Sequence, residues 1–330
     1  MLPRHGDPNR LSRRADSLQR LPLLLTGTLT LLMGGGLAWW IHSKGPQKLS
    51  KQTPLEQWVP EPPQPSPPRE ALAVLQSDRS LRIDRADGSF LNIVYTSVVV
   101  DPRWITVDLF AGWNREQDAN RDEEALVFTS GPTFARSPGH GALGMRLHGD
   151  LLLANGLWRA DNRAAAAQRA WMGINRSGEL EFGYGPLTEA LQQHLRVFVG
   201  GLHAFTNTTI SAPPSYRGVY GPMRLADVRI VFGLRPDGQL ELVETADGVL
   251  FSDLETFVEE KGFLAAYLPD HASKSRLIVP GRRLWSDEHA EWVSGGRPSI
   301  TQMPFLLKLR PTEEWRTRQP HDAGPAPGTN

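Results

Sequence analysis

Two stretches decide the fold: Met172-Gly173-Ile174-Asn175-Arg176-Ser177-Gly178-Glu179-Leu180-Glu181-Phe182 and Phe232-Gly233-Leu234-Arg235-Pro236-Asp237-Gly238-Gln239-Leu240-Glu241-Leu242. Each reads as a strand, a tight turn whose glycine supplies the positive φ, and a returning strand with period-2 alternation. The sequence between them is not self-similar, so they are equivalent hairpins within one domain and not units of a solenoid.

Working outward, residues 81–95 form a hairpin turning at Ala86-Asp87-Gly88, and residues 104–110 an alternating strand. Residues 123–128 enter a buried strand that ends at Ser130-Gly131-Pro132. Residues 144–154 read as a hairpin around His148-Gly149-Asp150, and 186–195 as a short helix. Residues 197–210 are strand-like, and Gly200-Gly201 within them marks close backbone packing or a ligand-facing turn. The clearest helix is 250–261, with Ser252 as its cap, Glu255 as the capping-box acid and Gly262 as its stop. Short buried strands follow at 264–268 and 305–309. Many strands and few helices predict an α+β domain over 71–310, built on a mixed, mostly antiparallel sheet with a few short helices.

Charge is balanced at 36 basic and 36 acidic residues, which gives no nucleic-acid footprint. The chain has no cysteine, which excludes disulfides, thiolate metal sites and a Cys nucleophile. Residues 21–41 carry no charge over a span close to the roughly 20 residues that cross a bilayer core, and Trp39 and Trp40 close it at interfacial depth. Arg4, Arg10, Arg13, Arg14 and Arg20 precede it, while Lys44, Lys48 and Lys51 follow it closely. This bias predicts a single-pass anchor with residues 1–20 in the cytoplasm and the rest periplasmic or extracellular. A cleavable signal peptide is the competing reading. Residues 42–70 are a Pro-rich, semi-rigid spacer, and 311–330 are expected to be a disordered tail.

The order of elements resembles the phosphodiester glycosidase family, which includes uncovering-enzyme-like and exopolysaccharide-associated domains. Ala125 to Phe134 is similar to the family's approach to an Asn-Gly-Gly-x-Phe segment, with Ser130 where Asn is usual. Pro138-Gly139 and residues 144–155 resemble its Pro-x-Gly hairpin, and Arg229-Ile230-Val231-Phe232-Gly233 with Asp237-Gly238 its arginine hairpin. Leu268-Pro269-Asp270-His271-Ala272-Ser273-Lys274-Ser275 falls where the family has Leu-Asp-Gly-Gly-x-Ser. The family's reaction is hydrolysis of a sugar-1-phosphodiester at the glycosidic bond.

The resemblance implies Asp270 as acid or base and Arg229 as a bidentate phosphate ligand, with Ser130, Gly131, His271 and Ser275 around the substrate, and the Gly200-Gly201 pair adds Gly201 to these substrate-binding candidates. His271 and Ala272 add side chains where the family keeps glycines, and Ser130 is shorter than an amide donor. These departures predict a non-catalytic or altered relative that binds an envelope glycan or sugar phosphate, with an active hydrolase as the alternative. Without the resemblance, Pro269-Asp270 is ordinary turn chemistry. No cofactor is implied, and the histidines have no metal-ligand spacing. No Gly-x-Ser-x-Gly elbow supports a serine nucleophile. Asn207-Thr208-Thr209 matches a glycosylation acceptor.

Overall fold

The computed structural model describes residues 66–140, 144–218, 228–246, 248–269, 275–293 and 302–319. The expected anchor at 21–41, and Asp270 and His271, lie outside the described residues. Among the described residues no helix is long and apolar enough to cross a membrane.

The strands in chain order are β1 (Ala73–Asp84), β2 (Phe90–Val100), β3 (Ile105–Ala111), β4 (Val127–Thr129), β5 (Phe134–Arg136), β6 (Met145–Leu147), β7 (Leu151–Leu153) and β8 (Gly156–Trp158). They continue as β9 (Ala170–Asn175), β10 (Leu180–Tyr184), β11 (Leu195–Asn207), β12 (Ile230–Leu234), β13 (Leu240–Thr245), β14 (Ala265–Leu268), β15 (Leu277–Ile278) and β16 (Phe305–Pro311). Among the described residues they form a large sheet ordered β1-β2-β13-β12-β14-β11-β7-β8, to which the β9–β10 hairpin adds through β11. A second sheet runs β15-β4-β16-β3, and β5 pairs with β6 alone. Every described pairing is antiparallel, so the sheet is less mixed than the sequence predicts.

Both matched blocks fold as the alternation demands. Ile174 faces Leu180 across one turn and Leu234 faces Leu240 across the other. Gly178 and Gly238 adopt φ of 87° and 81°, the left-handed region that an L side chain occupies only at a cost. The hairpins flank the β11–β14 pair, since β9 docks on β11 and β12 on β14.

Parity then divides the interior. Leu109, Val127, Leu277 and Leu307 point inward from the smaller sheet and meet Val98, Ile230, Phe232, Leu242 and Tyr267 of the larger one. Their chain neighbours Phe110, Phe128, Ile278 and Leu306 point outward and pack with Ala119, Trp285, Ala290 and Met303. On the other face of the larger sheet, Val231, Val243, Ala266 and Leu268 are covered by Leu254, Phe257 and Val258 of the helix Phe251–Glu260. Two sheets thus sandwich one core, with helical cover on both outer faces.

Four sequence expectations change. The helix Phe251–Glu260 starts after Leu250 with no side-chain cap, so Ser252 does not cap it. Asp253 instead receives two hydrogen bonds from Arg85 in the first hairpin's turn, at 2.8 and 2.7 Å. Residues 144–154 are not a hairpin: β6 pairs back to β5, and β7 pairs with β8 and β11. Asp150 forces that parting. Its buried carboxylate accepts from the amides of Ala160 and Leu187 and pairs with Arg163, which ties β7 to a different neighbourhood. Residues beyond 311 do not all form a loose tail: Glu313–Arg318 is a helix, Thr312 caps it by accepting from the Trp315 amide, and Trp315 is buried. Finally, the Asn207 carboxamide is committed internally, donating to the Tyr267 hydroxyl and accepting from Thr209 and Ile210.

Candidate functional site

The site is assembled where β4 runs out. After Thr129 the chain leaves the smaller sheet, and Ser130 keeps one last pair of bonds to the incoming strand. Its amide donates to the Arg276 carbonyl, and its Oγ accepts from the Arg276 amide at 2.8 Å. The hydroxyl therefore closes a strand end and points at backbone. Gly131 is small because of Phe305, whose ring would lie 2.1 Å from any added Cβ. Pro132 packs on Gly201, and the Thr133 hydroxyl donates to the Gly201 carbonyl at 3.1 Å. Gly201 has φ of 79° and sits at a register shift of β11 against β9. Gly149 presses on the backbone of Gly200 and Gly201 so closely that a Cβ on Gly149 would fall 2.0 Å from the Gly201 nitrogen. Of the two readings of Gly200-Gly201, close backbone packing is the one realised here.

Ser275 and Arg276 complete this side. Ser275 is buried, and its Oγ has no hydrogen-bond partner among the described residues. The Arg276 guanidinium is buried between Glu116, 2.9 Å away, and the Trp285 ring, 4.1 Å away. Burial lowers the Arg276 pKa, and Glu116 and Glu244 oppose that shift. An arginine so placed remains charged.

The larger sheet contributes the other half. Arg229, fully buried, immediately precedes β12, and its backbone exchanges bonds with Thr245. One residue further, Ile230 faces Glu244. Glu244 is wholly buried, pairs with Arg283, and lies 3.3 Å from His289 Nε2. Its second oxygen has no hydrogen-bond partner among the described residues. Arg283 belongs to the loop after β15, so the Glu244–Arg283 pair joins one sheet to the other. A cleft of about 450 Å³, lined by Tyr95, Thr96, Glu244, Arg283 and His289 among others, opens beside it. His203, also buried, faces Leu268 at the end of β14, beyond which Asp270 and His271 follow in sequence.

The structure therefore brings Ser130, Gly131, Gly201 and Ser275 into one neighbourhood and places Arg229 beside Glu244 on the facing sheet. Glu116, Glu244, Arg276, Arg283, Trp285 and His289 belong to one polar junction, and the sequence names none of them as a site residue. One of them had a legible signal. Leu240, Leu242 and Glu244 share a strand parity, so a charge falls where an apolar side chain should enter the core. Among the described residues no group of three His, Asp or Glu side chains converges as a metal would require.

No protein-family model matches the chain, and no curated protein sequence does. Solved structures do match. The catalytic domain of zebrafish N-acetylglucosamine-1-phosphodiester alpha-N-acetylglucosaminidase, auto-inhibited by its pro-peptide, is similar over 74% of this chain and 86% of that one, at 16% identity and a TM-score of 0.52. The domain has a phosphodiester glycosidase-like fold. A hypothetical protein from Synechocystis also matches, over 71% of this chain and 61% of that one, at 10% identity and a TM-score of 0.44. At these identities the likeness concerns the fold, and the chemistry has to be argued from the side chains.

Proposed function

We propose that the chain is a membrane-anchored, extracytoplasmic relative of the phosphodiester glycosidases whose site serves binding or assembly of envelope glycans in place of turnover. One observation carries this reading. The guanidinium groups of Arg276 and Arg283 already lie on Glu116 and Glu244, inside the protein. A phosphodiester entering there would have to compete with buried carboxylates for the same donors, and breaking such pairs is costly. Ser130 has its hydroxyl on backbone, and His271 and Ala272 stand where the family keeps glycines.

The second reading, an active hydrolase, draws on two atoms. Ser275 Oγ and one Glu244 oxygen are buried polar atoms without a described partner, and such atoms recur at sites that receive a ligand. In that reading Asp270 supplies the acid or base, and Arg229 acts on the phosphate.

Incubation of the full-length protein with a panel of sugar-1-phosphodiesters, N-acetylglucosamine-1-phosphodiesters included, separates the two. The expected outcome is no turnover by protein shown to be folded by circular dichroism, with saturable binding of at least one glycan probe. Turnover that disappears in Asp270→Asn and falls in Arg229→Lys would overturn the binding reading and establish a diverged hydrolase.

A further inference from the structure

Most arginines that leave solvent in this domain meet a carboxylate: Arg276 meets Glu116, Arg283 meets Glu244, Arg310 meets Asp108 and Arg85 meets Asp253. Arg196 does not. It projects from β11 near the tip of the β9–β10 hairpin, and its two terminal nitrogens donate to the carbonyls of Ile105 and Pro102 at 2.7 and 2.5 Å. No carboxylate lies within ion-pair distance of it among the described residues. Burial lowers its pKa and the nearby charge of Glu314 opposes that shift, so the guanidinium stays cationic while losing much of its hydration.

Arg196 opens into a cleft of about 350 Å³ shared with Arg103, Trp104, Arg176 and Arg318. Arg176 repeats the pattern, since its Nε donates to the Gln193 carbonyl at 2.7 Å and no described carboxylate pairs with it. Arg103 pairs with Asp101, and Arg318 pairs with Glu314 while its guanidinium lies 5.4 Å from the Trp104 ring centre. Four guanidinium groups and one carboxylate, that of Glu314, therefore line one concavity, and Asp101 offsets Arg103 from outside that lining. Gly178 closes its wall, because a Cβ there would come 2.8 Å from the Arg103 Cα.

We propose that this cleft is an anion site that takes a phosphate-bearing ligand of about hexose-phosphate size, separate from the Glu244–Arg283 junction. Guanidinium donors held by backbone carbonyls keep their orientation without surrendering charge, which is the arrangement that bidentate phosphate recognition requires. Trp104 offers an apolar face for a sugar ring or a glycerol backbone once Arg318 swings to the ligand. The volume lies within the range of small-ligand clefts. The same phosphate chemistry is found in soluble sugar phosphates and in anionic lipid headgroups. The proposal is independent of whether the junction hydrolyses anything.

The test is calorimetric titration of the full-length, detergent-solubilised chain at low salt with inorganic phosphate, pyrophosphate and glucose 1-phosphate, with glucose as the neutral control. Short-chain phosphatidylglycerol and phosphatidylcholine below their critical micelle concentrations form the lipid arm. The expected result is saturable binding of at least one phosphate probe, weakened at least tenfold in the surface double variant Arg176→Ala/Arg318→Ala and unchanged in Arg82→Ala. Arg196→Met should weaken it too, but Arg196 supports two carbonyls, so the double variant is the decisive one. Preference for glucose 1-phosphate assigns a soluble sugar source, and preference for phosphatidylglycerol a headgroup source. Absence of binding by every phosphate probe, or binding by the double variant equal to that of the wild type, overturns the site.

Discussion

Arg276 and Arg196 lose water to a similar end and are satisfied in opposite ways. Arg276 lies against the carboxylate of Glu116 and the face of Trp285, and its charge is cancelled inside the protein. Arg196 lies on two backbone carbonyls, which orient it but leave its charge to act outward. The first arrangement fastens elements together and the second presents a cation. A buried ion pair holds its partners because separating them strands a charge in a poor solvent. A carbonyl-held arginine keeps its field, and a concave wall of low polarisability concentrates it.

The largest effect should come from cutting the first arrangement. Glu116→Ala leaves Arg276 buried without its nearest carboxylate and should lower stability by about 3–5 kcal/mol in denaturant unfolding. A loss under about 1 kcal/mol would mean that Glu116 does little to hold Arg276, which also stacks on Trp285 and donates to the Ser275 carbonyl, and the contrast with Arg196 would collapse. Arg196→Met removes two charge-assisted bonds to carbonyls and should cost less, about 1.5–3 kcal/mol by the same measurement.

The two hairpin turns sharpen the comparison one step further. Gly238→Ala meets only the left-handed backbone and should cost about 1 kcal/mol, because nothing lies within 4 Å of its Cβ. Gly178→Ala also strikes the Arg103 backbone at the arginine cleft and should cost distinctly more. Equal melting temperatures for the two variants would mean that the cleft wall yields freely.

The smallest effect is a slope with pH. Both arginines stay charged at all accessible pH and contribute nothing to it. Burial pushes Tyr216 and Tyr267 well above the ordinary tyrosine range, with the neighbouring tyrosines adding to the shift. Their unfolded value is about 10, so the unfolded chain releases protons that the fold retains. Stability is therefore full below about pH 10 and falls as pH rises above it. Thermal melts between pH 8 and 11 should show this decline, and Tyr267→Phe should reduce it. A flat profile would refute the burial of these hydroxyls.

The hairpins were legible because everything they need is local: a glycine at Gly178 or Gly238, and alternation on both sides of it. The strand at Ala265–Leu268 and the stop at Gly262 followed from similarly short-range signals. Ser252 failed as a cap because tertiary contacts chose the start of the helix, with Arg85 drawing Asp253 across from a distant turn. The β6–β7 parting was illegible for the same reason, since the groups that satisfy Asp150 lie far along the chain. The helix Glu313–Arg318 did carry its signal, a threonine before two glutamates, but proline and polar residues around it obscured it. Within the site, Ser130, Gly131 and Ser275 were named through motif order, and Gly201 through its glycine pair. Arg276 and Arg283 could not be, because only burial and pairing separate them from the chain's many surface arginines.

The domain also has a clasp. The carbonyl of Pro67, almost the first described residue, accepts from Trp315 Nε1 at 2.8 Å and from the Gln319 side chain through Nε2, while Arg69 reaches the carbonyls of Glu123, Glu124 and Ala125. A load entering along the backbone at Ser66 meets these bonds before it reaches any sheet. They give way one after another, so stretching should peel the closing helix away at low force, and β1, zipped along β2, resists only afterwards. In a force-extension trace the domain would yield in two steps, the first of them small and quickly reversed.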